Sequence, residues 1–101
     1  VTSVARSPAF PALPALTESG FPGFSALNWT GVVAPARMPE AMVTRWSEVV
    51  RRALAQPELS RKLAQEASEP LGSTPEEFRR FLTAEHAKWG RLVREARIEL
   101  G

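Results

Sequence analysis

The chain has 101 residues, of which 44% are hydrophobic and 24% charged, with a formal net charge of +2 and a sequence pI of about 9.9. That size allows one modest core, the composition argues against disorder throughout, and an excess of two positive charges is too small to point to nucleic acid. With no cysteine in the chain, disulfides and thiolate metal sites are excluded, and no apolar run approaches the roughly 20 residues of a membrane span.

Val1-Thr2-Ser3-Val4 reads as a strand already under way, and the first residues lack a basic start followed by an apolar block. The chain is therefore expected to begin inside a longer one, with any secretion signal upstream. Residues 6–24 hold Pro8, Pro11, Pro14 and Pro22 together with Gly20 and Gly23, which is turn chemistry without a regular period. A short helical turn is expected at Pro14–Ser19, stopped by Gly20. Leu27-Asn28-Trp29-Thr30-Gly31-Val32-Val33-Ala34 follows, bounded by Pro35. Its Trp, Thr and paired Val favour a strand, apolar enough after Thr30 to be buried.

Helices are expected for the remainder. Pro39 opens the first, with Met42, Val43, Trp46, Val49, Val50, Ala53 and Leu54 at 3.6-residue spacing and Arg45, Glu48, Arg51 and Arg52 on the other side. Pro57 opens a second, with Leu59, Leu63 and Ala67 inward, and Glu69-Pro70-Leu71-Gly72 breaks it. Thr74-Pro75-Glu76-Glu77 has the form of a capping box. It starts a helix expected to run to about Arg97 through Gly90, with Phe78, Phe81, Leu82, Trp89, Leu92, Val93 and Ala96 on its apolar stripe. Phe78 and Phe81 are expected to face a sheet or the Pro39 helix, and Trp46 and Trp89 to lie in the core.

No constellation for catalysis is visible. His86, the single histidine, has no nucleophile or orienting carboxylate in a recognisable motif and reads as a surface or boundary residue of its helix. One histidine with dispersed carboxylates offers no metal-ligand spacing, and Gly20-Phe21-Pro22-Gly23 lacks the pattern of a phosphate loop. The pairs Arg51-Arg52, Arg61-Lys62 and Arg79-Arg80 invite a phosphate-binding interpretation. The glutamates interleaved with them favour instead the solvated sides of amphipathic helices. Trp29 stands apart, beside Asn28 and Thr30 at the start of a strand and just after a Pro/Gly loop, where open α/β folds place ligands. Trp29 and Thr30 are the candidate ligand-binding residues.

The order of these pieces resembles the C-terminal portion of the tripartite tricarboxylate transporter substrate-binding family, the Bug or TctC-like proteins. The resemblance rests on Pro14-Ala15-Leu16-Thr17-Glu18-Ser19-Gly20, on Trp29-Thr30-Gly31 leading to Ala34-Pro35, and on Pro57-Glu58 with Leu63. Thr74-Pro75-Glu76-Glu77-Phe78 with Glu85, Lys88-Trp89-Gly90 and Val93 completes it. Ala15 stands where the family usually has Thr, and Arg37-Met38 where it has Gly-Thr. The resemblance implies an α/β fold: the C-terminal fragment of a two-lobed periplasmic-binding-protein-like receptor, with two or three strands plus three helices. Residues 1–38 would supply a strand, a cleft-edge loop and a hinge strand, and residues 39–101 the helical part. It implies a periplasmic, non-enzymatic protein without cofactor. Such a protein holds a small carboxylate largely through backbone amides and water and delivers it to membrane permease subunits, with no role for nucleic acid or membrane insertion. The alternatives from other classes are a free-standing helical protein that binds nucleic acid or a protein partner through basic helix faces, and a truncated, functionless relic.

Overall fold

A computed structural model describes residues 1–99. Among these residues a 3-10 turn at Leu16–Ser19 is followed by three helices, α1 (Glu40–Leu54), α2 (Pro57–Gln65) and α3 (Pro75–Glu95). There is no strand among the described residues, so the expected α/β class with two or three strands is corrected to helices joined by irregular segments. The reason lies in what a strand requires. A β-prone sequence becomes a strand only when a second strand accepts its backbone hydrogen bonds. Between Leu27 and Ala34 no backbone N–H meets a backbone acceptor among the described residues. Val32 and Val33, read from sequence as buried, are 71% and 78% exposed.

The helix boundaries follow from local chemistry. Pro39 lies at the N-cap of α1 with φ −56° and ψ 138°, one position before the helix rather than at its first residue. Pro57 and Pro75 occupy the first helical positions of α2 and α3, where a missing N–H costs nothing. The Thr74 capping box forms in full: the Glu77 N–H donates to Thr74 Oγ1 at 3.2 Å, and the Thr74 N–H to Glu77 Oε2 at 2.8 Å. The Thr74 N–H, then the Thr74 hydroxyl, hold the Glu77 carboxyl below the usual range.

Both α2 and α3 end in Schellman motifs without glycine. Ala67 takes φ 54° while the Ser68 N–H reaches Leu63 O at 2.8 Å, and Arg97 takes φ 52° while the Ile98 N–H reaches Val93 O at 3.0 Å. Ala67, expected inward, is therefore an exposed left-handed cap, and α3 stops at Glu95, short of Arg97.

Helix α1 contacts both α2 and α3. Its apolar stripe is divided lengthwise. Val43, Ser47, Val50 and Leu54 are half-buried, whereas Met42, Trp46 and Val49 stay exposed. Trp46 and Trp89, expected in the core, are 57% and 39% exposed, and Ala15 is the one fully buried hydrophobic residue among those described. The radius of gyration is 16.4 Å, against about 13 Å for a close-packed domain of this length. The accessible surface is 8703 Å², against about 5,700 Å² for a folded monomer of this mass. The apolar faces of these helices are largely unpaired within the described residues.

Candidate functional site

The residues singled out from sequence lie on the irregular segment that precedes α1, and α3 is what positions them. Trp29 packs edge-on against two rings of α3, with centroids 5.7 Å from Phe78 and 5.3 Å from Phe81, while Phe78 and Phe81 stack at 6.2 Å. Edge-to-face contacts of this kind add to simple area burial because the ring edge is positive and the ring face negative. Phe78 and Phe81, expected to face a sheet or the Pro39 helix, meet Trp29, and no sheet exists among the described residues for them to face. Gly31 lies so close that a Cβ on it would stand 2.2 Å from Phe78 Cζ. A side chain here would have to displace the Phe78 ring or the segment itself, because the ring occupies the place of the Cβ.

Farther along α3 the same face turns polar. Lys88 Nζ donates to the Ser25 carbonyl at 3.0 Å and to Glu85 Oε1, and Trp89 Nε1 donates to Glu85 Oε2 at 2.7 Å. Lys88 also lies 5.1 Å from the Trp89 ring centroid. The side chains of Glu85 and Lys88 retain only 12% and 33% of their exposure. The Lys88 ammonium, then the Trp89 indole, hold the Glu85 carboxyl below the usual carboxylate range, against an opposing desolvation.

Residues 78, 81, 85 and 88 recur at helical spacing and form one face of α3. Residues 25–31 run along that face in the opposite direction, with Gly31 and Trp29 at Phe78 and Ser25 at Lys88. Trp29 nonetheless keeps 41% of its surface exposed, and Thr30 beside it is exposed. Sequence reasoning singled out Trp29 and Thr30 but missed this clamp. The available signal was the switch from Phe to Glu and Lys at constant spacing on one helix face. Its docking partner, 47 or more residues away, leaves no periodic trace.

A second polar knot ties the preceding loop. Arg6 Nε donates to Glu18 Oε2 at 3.0 Å and its NH2 to Oε1 at 2.9 Å, while its NH1 reaches Pro11 O at 3.1 Å. The Arg6 guanidinium, then the Ala15 N–H, hold the Glu18 carboxyl low, and the Glu18 carboxylate in turn raises the Arg6 pKa. The Ala15 N–H donates to Glu18 Oε2 at 2.9 Å. Ala15 has no side-chain oxygen to return the bond, so only half a capping box forms.

Shallow grooves lie elsewhere. One of about 570 Å³ is lined by Glu48, Arg51, Arg52, Leu54, Ala55 and residues 70–72, and another of about 540 Å³ by residues at the α1–α2 corner; neither includes Trp29 or Thr30. No group of three or more potential metal ligands occurs among the described residues, and His86 is exposed. Of the basic pairs, Lys62 and Arg80 meet Glu58 and Glu76 on their own helices, which favours a solvated face over a phosphate-binding one. No described helix is long and apolar enough to cross a membrane.

Residues 1–98 match the family described as the tripartite tricarboxylate transporter family receptor. The chain belongs to this family. It is 34% identical over 99 residues to the UPF0065 protein in the tcbD-tcbE intergenic region of a Pseudomonas species, a match covering 97% of this chain and 30% of that protein. It is 30% identical over 100 residues to the protein BugT of Bordetella pertussis, covering 99% and 31%. A UPF0065 protein in the clcB-clcD intergenic region of Pseudomonas knackmussii is 28% identical over 99 residues, covering 97% and 59%. The chain thus spans just under a third of the length of the first two family members and about three fifths of the third.

Proposed function

We propose that this chain is part of an extracytoplasmic solute-binding receptor that captures a small carboxylate in the periplasm and presents it to the permease subunits of a tripartite tricarboxylate-type transporter. The family match over residues 1–98 carries this reading. A receptor needs no nucleophile, metal or acid–base pair. It needs donors aimed at a carboxylate and a surface that can close around it.

Trp29 and Thr30 border the ligand cleft in this reading. Trp29 has part of its ring held on α3 and the rest exposed. Thr30 contributes an exposed hydroxyl, and the N–H groups of residues 27–34 have no backbone acceptor among the described residues. Hydroxyl and amide donors are suited to a carboxylate without the desolvation cost of a buried cation. The unpaired apolar faces of α1 and α3 also fit a segment of a larger receptor, since two of the related proteins are more than three times as long as the matched region.

Tryptophan fluorescence of the full polypeptide, titrated with succinate, citrate and related acids, tests the reading. The ligand-induced change should vanish in Trp29→Phe and weaken in Thr30→Val. An undiminished change in Trp29→Phe would remove Trp29 from the cleft, and the absence of any response to carboxylates in the unaltered protein would remove the ligand class.

A further inference from the structure

We propose that Lys88 and Glu85 are positioning residues for ligand capture, a clamp that fixes the 25–31 segment along α3 and so sets the orientation of the exposed part of the Trp29 ring. The inference rests on the reading of Trp29 as a cleft residue and goes beyond it by assigning a role to two residues that do not touch the ligand.

The clamp's geometry separates it from ordinary surface pairing. The ion pairs at Lys62–Glu58, Arg80–Glu76 and Arg91–Glu95 join neighbours on one helix, with every side chain at least 67% exposed. Such pairs are worth little. Lys88 and Glu85 are far less exposed, and Lys88 uses a second proton to hold the Ser25 carbonyl, 63 residues away in sequence. Glu85 is itself held on its other oxygen by the Trp89 indole, so the carboxylate that aims the ammonium is tethered at both oxygens. Four residues beyond Ser25, Trp29 meets Phe78 and Phe81 edge-on, and Gly31 closes against the Phe78 ring. The ring contacts and Gly31 seat one end of the segment at Phe78, and Lys88 pins the other end at Ser25, so that Trp29 is held between two anchors. Registration of this kind raises affinity by lowering the ordering cost of binding, without a new ligand contact.

The full chain labelled with 5-fluorotryptophan tests the proposal by fluorine NMR, its Trp29 line assigned by loss in Trp29→Phe. In the ligand-free protein, Lys88→Met should move the Trp29 line towards the position of the free amino acid and leave the Trp46 line in place, while Lys88→Arg should leave both near their original positions. On titration with succinate and citrate, the Lys88→Met protein should need roughly ten-fold more acid for half the Trp29 shift, the size expected when one charge-assisted hydrogen bond is lost. An unmoved Trp29 line in ligand-free Lys88→Met overturns the clamp. A moved line with unchanged half-saturation reduces the pair to a structural contact and overturns the positioning role. A Trp29 line that responds to no carboxylate in the unaltered protein overturns the cleft reading and the positioning role with it, a result distinct from the ligand-free one. If Lys88→Met also moves the Trp46 line, Glu85→Gln decides: it keeps the shape of the site and should shift Trp29, and Trp89 whose indole it accepts from, while leaving Trp46 in place, and no Trp29 shift there overturns the proposal.

Discussion

Gly31 shows how a single missing Cβ admits a contact. Because Phe78 Cζ lies 2.2 Å from where that atom would be, Gly31→Ala must push the ring or the segment away. A destabilisation of about 1–3 kcal/mol is expected, the range for overpacking a filled position. Denaturant unfolding would measure it, and Phe78→Leu added to Gly31→Ala should recover part of the loss. Ala67 presents the reverse case. It holds φ 54° at the end of α2, a conformation that costs a residue with a Cβ and that glycine adopts freely. Ala67→Gly should therefore stabilise by up to about 1 kcal/mol. The physical cause of neither is local to the sequence, since it lies in backbone geometry for Ala67 and in a ring from a distant helix for Gly31.

The helices themselves were legible. Proline starts, the Thr74-Pro75-Glu76-Glu77 box and the 3.6-residue stripes all depend on neighbours within a few residues, and α1, α2 and α3 begin within one residue of where those signals place them. Thr74→Ala should cost about 1 kcal/mol by orphaning the Glu77 N–H, measurable as a lower unfolding midpoint. The pH dependence belongs to the caps and knots that end or tether these elements. Glu18, Glu77 and Glu85 have folded-state pKa values below the ordinary 4.5. A lowered carboxylate stabilises the fold fully above its unfolded value and loses that contribution as the pH falls through the folded one. Thermal stability should accordingly decline as the pH falls below about 4.5, and Glu85→Gln should flatten that decline. A profile unchanged by Glu85→Gln would show that the carboxylate is not ionised against Lys88.

For the complete chain, the governing fact is surface. A radius of gyration of 16.4 Å and exposed Met42, Trp46 and Val49 on one edge of α1 describe helices whose apolar sides exceed what they can cover among themselves. Single exposed apolar residues are normal, but a continuous stripe marks a contact surface. The 101-residue chain by itself should bind a hydrophobic dye such as ANS, and Trp46→Gln should lower that binding without lowering helicity by circular dichroism. A cooperatively melting chain with no dye binding would contradict the unpaired stripe.

The family was readable from the resemblance of its ordered motifs, and the helical elements from residue order alone, because capping, proline geometry and amphipathic spacing act over a few residues. The strands were not: Leu27–Ala34 has β-prone side chains, but a strand exists only where a second strand meets it, and among the described residues none does. What the tertiary structure decided was the fate of that segment, which lies along α3 with Trp29 on two phenylalanines and Ser25 held by Lys88. Contacts between residues 47 to 63 positions apart are set by which faces meet when the chain packs, and no local pattern encodes them.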